Sequence, residues 1–297
     1  MYNRGQDFQQ ADQFIPFSSG DDPVALPRYP ARTLYLRSLG FSEDPFNPIP
    51  DPRFLCLTSQ HGPLIERMFG MVERSSGLAV VDGHAGVGKS IVARRLESYY
   101  LCQPDEYFLA YLYNAPIDTE YAVLAAISDE LSLNRRKGVD GQWEELSGHI
   151  RSQTANGKGT VIIIDTQAEL SKEALAQLYA IASHLAPVFV FGRPSLTVAL
   201  GRVPEAAEEA HRYTLADLDL EDTVSMIRFR GMVAGRNSAL FPSEALMYIW
   251  EATYGNPADV INICGRVLNA MSTERLDAAS LPIVTATTQS YLEAKLG

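Results

Sequence analysis

Gly83-His84-Ala85-Gly86-Val87-Gly88-Lys89-Ser90 fits the pattern G-x-x-x-x-G-K-[ST] at every fixed position. Before it, Gly77-Leu78-Ala79-Val80-Val81 is a short apolar run, as expected of a strand buried on both faces. After it, Ser90-Ile91-Val92-Ala93-Arg94-Arg95-Leu96 reads as a helix, with Ile91, Val92 and Leu96 available for one packed side. A loop between such a strand and helix turns successive backbone N–H groups toward one point, at the positive end of the helix dipole. Its glycines permit the backbone angles and the close approach that an anion needs. In this pattern Lys89 reaches the β- and γ-phosphates of a nucleoside triphosphate and the Ser90 hydroxyl ligates Mg²⁺. The expected ligands are ATP and Mg²⁺, held by Gly83, His84, Ala85, Gly86, Val87, Gly88, Lys89, Ser90 and Ile91. The pattern needs only the backbone of His84, whose side chain is expected to face solvent or a neighbour.

Such a loop needs a carboxylate at the end of a neighbouring strand to hold Mg²⁺. Thr160-Val161-Ile162-Ile163-Ile164-Asp165 supplies one: a β-branched apolar run with an acid at the edge where ligands sit in parallel sheets. Many ATPases follow that acid with Glu to polarise the attacking water, and this chain has Thr166. A hydroxyl is no general base at neutral pH, so hydrolysis should be slow relative to binding. Glu169 substitutes only if the chain turns back. Arg193, in Gly192-Arg193-Pro194 after the next strand, stands where a cation would sense the γ-phosphate.

Outward from these motifs, apolar runs at 77–82, 107–113, 160–165 and 187–192 alternate with helical patterns near 89–102, 118–133, 142–155 and 171–185. Arg212-Tyr213-Thr214-Leu215 adds a candidate last strand. This alternation predicts an α/β fold, a parallel sheet covered by helices on both faces. Past residue 216 strand signals stop, and helix starts appear at Leu220, at Pro242, at Asn256-Pro257 and beyond Pro282. The reading is an arm over 1–35, a nucleotide-binding α/β domain over 36–215 and a small helical lid over 216–297.

Composition sets the outer bounds. The 297 residues are 46% hydrophobic and 21% charged, ordinary globular values. Cys56, Cys102 and Cys264 have no paired spacing, which points away from a disulfide framework or a zinc site. No run approaches the roughly twenty apolar residues of a membrane span, and the polar start lacks a secretory core. A cytoplasmic protein without membrane insertion is expected. The net charge of −11 opposes broad non-specific binding to nucleic acid.

A family resemblance follows from further motifs. Gly40-Phe41-Ser42-Glu43-Asp44-Pro45-Phe46, then Pro50-Asp51-Pro52-Arg53-Phe54-Leu55, resembles the opening segment of ExeA-like AAA+ ATPases. Phe191-Gly192-Arg193-Pro194-Ser195-Leu196 is similar to that family's strand-end motif. Leu240-Phe241-Pro242-Ser243-Glu244-Ala245-Leu246 and Gly255-Asn256-Pro257-Ala258-Asp259-Val260 are similar to its lid. The resemblance covers about 36–295. It implies a AAA+ ATPase that self-associates into a ring or filament and serves a protein assembly, with envelope and secretion machines among the family's settings. Three positions depart from the family: Thr166 stands for its Glu, Ala258 for its lid arginine, and Glu208 for its trans-acting arginine. Losing arginines that stabilise the transferring phosphoryl group costs orders of magnitude in rate. A nucleotide-gated switch is therefore expected more than a fast motor.

Two other readings compete. Relatives of the TnsC and TniB type polymerise on DNA with ATP and recruit a transposase, and Arg135-Arg136-Lys137 offers a small basic patch for DNA. A nucleotide-binding scaffold without turnover is the third. Phe46, Pro50 and Phe54 are candidates for the base side of the nucleotide; Tyr99, Tyr100 and Trp143 are expected to pack.

Overall fold

The computed structural model describes residues 35–296, so the expected arm over 1–35 lies, Tyr35 apart, outside the described residues. The strands are β1 (Leu78–Gly83), β2 (Tyr107–Tyr113), β3 (Gly159–Asp165), β4 (Val188–Phe191) and β5 (His211–Leu215). They form one parallel sheet in the order β2-β3-β4-β1-β5. β1 and β4 are buried along their whole length, which is why Leu78–Val81 and Val188–Phe191 read as unbroken apolar runs.

Alternation along the strands divides the core. Val80, Ile162, Ile164, Val188 and Val190 pack against α3 (Glu120–Glu130), α4 (Gly138–Ala155) and α5 (Lys172–His184). Val81, Val161, Ile163, Phe189 and Phe191 face the other way, toward α1 (His61–Glu73) and α2 (Lys89–Leu101). The helix expected over 118–133 starts after its cap Thr119, whose hydroxyl accepts from Ala122 N–H at 3.1 Å. It stops before Ser132, which takes φ 57°. The pattern near 142–155 extends back to Gly138. Between β4 and β5 lie two short helices that the sequence left unread, α6 (Ser195–Leu200) and α7 (Pro204–Glu209).

Four helices end the chain: α8 (Leu220–Val233), α9 (Ser243–Thr253), α10 (Pro257–Glu274) and α11 (Leu281–Leu296). Their core includes residues from far upstream, Leu36, Leu39, Phe41, Phe46 and Phe54. Arg230, 2% exposed, explains the attachment. Its guanidinium donates to Pro45 O at 2.6 Å and to Asn47 O at 3.0 Å, and it lies 4.7 Å from the Phe54 ring centre. Burial pushes its pKa down to about 10. Phe46 meets Phe241 edge-on at 6.0 Å, and Phe46 and Phe54 are each 4% exposed. They pack inside this helical core and do not face an open cleft, which corrects their expected place on the base side. Among the described residues, no helix is long and apolar enough to cross a membrane.

Candidate nucleotide site

The loop leaves the C-terminal edge of the sheet between β1 and α2. Gly86 and Gly88 adopt φ 88° and 101°, angles that favour glycine. Val87 alone turns inward, 1% exposed, and anchors the loop in the core. His84 and Ala85 are exposed. The Lys89 amine folds back to donate to Gly83 O and His84 O, both at 2.6 Å. Burial lowers its pKa; the charges of Asp165 and Asp82 oppose that shift and Arg193 adds to it.

Asp165 ends β3 at 4% exposure. Burial raises its pKa most; opposing it are a hydrogen bond from Ser90, the charge of Arg94 and the Tyr111 hydroxyl, which donates at 3.5 Å. Arg94 lies 4.8 Å from the Tyr111 ring centre and 2.8 Å from Glu97, so the carboxylate has an ordered surround. The fold thus brings the Ser90 hydroxyl near enough to the Asp165 carboxylate to lower its pKa. Two hard oxygen donors side by side fit Mg²⁺, which keeps waters and takes few protein ligands. No group of three or more His, Cys, Asp or Glu that could hold a metal occurs among the described residues.

Thr166 is 3% exposed, and its hydroxyl accepts from Ala168 N–H at 3.1 Å. The side chain caps the turn that leaves β3. Glu169 and Gln167 are exposed, and Gln167 N–H donates to Asn114 Oδ1 at 3.0 Å. Arg193, also exposed, donates weakly to Gln167 Oε1 at 3.5 Å. Arg135, Arg136 and Lys137 lie on the exposed connection between α3 and α4. Arg135 pairs with Asp129 at 2.5 Å and Arg136 with Glu145 at 2.9 Å, so two of these cations already face carboxylates.

The structure adds contacts that sequence reasoning left out. Asn256 caps α10, and its side-chain amide donates to Ala85 O at 3.1 Å and to Asp217 Oδ1 at 2.9 Å. Ala258 N–H donates to Gly86 O at 3.1 Å. A Cβ on Gly86 would overlap the Asn256 amide. The start of α10 therefore sits on the phosphate loop. Asn-Pro marks a helix start in sequence, but nothing there says what the start touches. Asp82, buried in β1, accepts from the Thr197 hydroxyl at 2.5 Å, and its other oxygen is buried without a partner among the described residues.

A family model described as an AAA domain matches residues 72–200. Over 249 residues the chain is 30% identical to General secretion pathway protein A of Aeromonas hydrophila, covering 80% of this chain and 45% of that protein. The chain is an ExeA-like AAA+ protein. It spans about half the length of that curated relative. Solved structures share the fold of this ExeA-like chain at low identity. Drosophila ORC bound to DNA aligns with TM-score 0.58 and 14% identity, over 96% of this chain and 73% of that one. The ADP form of Aeropyrum pernix ORC2 aligns with TM-score 0.56 and 13% identity, over 76% of this chain and 66% of that one.

Proposed function

We propose that this ExeA-like protein binds ATP with Mg²⁺ and acts as a nucleotide-gated, self-associating switch that organises a protein assembly, with slow hydrolysis. The reading rests on one juxtaposition: the loop of Gly83 to Ser90 opens beside a buried carboxylate, Asp165, whose pKa the nearby Ser90 hydroxyl lowers. In this reading the loop N–H groups and Lys89 hold the phosphates, while Ser90 and Asp165 hold the ion. Bound Mg²⁺ would spread the charge of the β- and γ-phosphates. Lys89 would exchange the carbonyls of Gly83 and His84 for phosphate oxygens. Thr166 supports the slow step, because its hydroxyl already accepts a backbone hydrogen bond and has no proton-accepting strength to offer. The contact of Asn256 and Ala258 with Ala85 and Gly86 supports a switch: whatever shifts the loop shifts the lid helix attached to it.

Light scattering of the full chain, with and without a non-hydrolysable ATP analogue and Mg²⁺, tests this reading. A larger particle with nucleotide is expected; an unchanged size ends the switch idea. The same sample titrated with DNA addresses a second reading, DNA-dependent assembly, supported by the exposed cations at 135–137 and by a fold shared with ORC, one of whose structures is bound to DNA. If that reading holds, binding requires ATP, falls steeply with salt and vanishes in the Arg135→Ala, Arg136→Ala double variant.

A further inference from the structure

Asp82 stands in β1 directly before Gly83, the first glycine of the loop, and is 4% exposed. An acid in that place works against the site, because its charge repels the phosphates that such a loop holds. Its contacts give it another task. One carboxylate oxygen accepts from the Thr197 hydroxyl at 2.5 Å, and the other is buried with no partner among the described residues. Moving Thr197 away would leave this buried carboxylate barer still, which is costly. The pair is stiff for that reason.

Thr197 belongs to α6, which starts two residues after Arg193. The turn from β4 into that helix is fixed along its length. Gly192 N–H donates to Val81 O at 3.0 Å, beside Asp82, and Leu196 N–H donates to Arg193 O at 2.9 Å. A Cβ on Gly192 would stand 2.8 Å from Leu196 Cδ2, so Leu196, 5% exposed, closes over that glycine. The bond between Asp82 and Thr197 ties the far side of the turn back to β1. Arg193 sits inside this bracket with its backbone held on both sides. Its side chain is exposed and bonds Gln167 at a long 3.5 Å. The charges of Asp82 and Arg193 both act on the Lys89 amine, so bracket and phosphate loop share one neighbourhood.

Building on the nucleotide reading above, we propose that Asp82 and Thr197 are positioning residues for Arg193. Their buried bond sets where the guanidinium meets a terminal phosphate, and hence how strongly the site prefers ATP to ADP. The loop amides take phosphates that both nucleotides carry; Arg193, at the exit of the neighbouring strand, answers to the one that ATP alone carries.

Calorimetry of the full chain with Mg²⁺, a non-hydrolysable ATP analogue and ADP tests this. Arg193→Ala should cut the ratio of analogue to ADP affinity about tenfold, the size of one charge-assisted hydrogen bond. Thr197→Val should cut it at least about threefold and leave ADP within about twofold, while Thr197→Ser, which keeps the hydroxyl, retains the ratio. The double variant Asp82→Ala, Thr197→Val removes donor and acceptor together, which a core tolerates better than a bare carboxylate. It should lose the ratio as well, and it guards against a fold lost in Thr197→Val. On top of Arg193→Ala, Thr197→Val should change the ratio by less than about twofold. An unchanged ratio in the double variant overturns the assignment, as does a wild-type ratio near one. So does equal weakening of both nucleotides, which would make the bond a prop for the fold, and so does a fully additive loss on top of Arg193→Ala. A wild-type chain that takes up neither nucleotide instead removes the nucleotide reading itself.

Discussion

The two sides of this cleft have parted company. On the loop side the sequence pattern is complete: positive-φ glycines, Lys89, and Ser90, whose hydroxyl lowers the pKa of Asp165. On the side where water would be activated and the product sensed, Thr166 caps a turn and Ala258 offers only its N–H, to Gly86. On the proposed reading, gripping and cleaving a triphosphate are separable. Gripping uses backbone amides, one cation and a metal, all fixed by strand, loop and helix. Cleaving needs particular side chains at particular points, and a substitution there leaves the fold intact.

The sharpest way to break this contrast is Lys89→Ala. Charge-assisted hydrogen bonds contribute about 1.5–3 kcal/mol each, so ATP affinity by calorimetry should fall on the order of 100-fold. Unaltered uptake would mean the loop does not hold the nucleotide. Thr166→Glu sharpens the other side. A positioned general base contributes about 10²–10⁴-fold, so phosphate release should rise at least about tenfold even though the turn at Ala168 loses its cap. Fast release by the wild-type chain would instead show that the water-activating side is intact by some other route. The smallest effect belongs to the lid contact. Asn256→Ala removes the cap of α10 and the bond to Ala85, and should cost about 1 kcal/mol in thermal unfolding. If addition of ATP still shifts the melting temperature equally in this variant and the wild type, Asn256 does not link lid to loop.

Much of this was legible along the chain. Buried parallel strands must be apolar on both faces, so β1, β3 and β4 stand out as unbroken runs, and Asp165 stands out because an acid ends one of them. α6 and α7 were not legible: each is six residues long, too short for a hydrophobic period to declare itself. Phe46 and Phe54 misled for another reason. Their order before the loop suggested the nucleotide, whereas Arg230, distant in sequence, draws that segment into the helical core by taking the carbonyls of Pro45 and Asn47. Arg135 and Arg136 read as a basic patch, but Asp129 on the preceding helix and Glu145 on the following one meet them in space.

By itself the amino-acid order determined the apolar strands, the glycine-rich loop pattern and the acid that ends one strand, because each is written within a single local segment. Tertiary structure alone decided that Asn256 and Ala258 rest on Ala85 and Gly86, that residues 36–54 join the last helices, and that His61 stands beside Gly88 with a nitrogen unmet among the described residues. These are meetings between segments far apart along the chain. Packing brings them together, and no local periodicity encodes which partner a side chain will find.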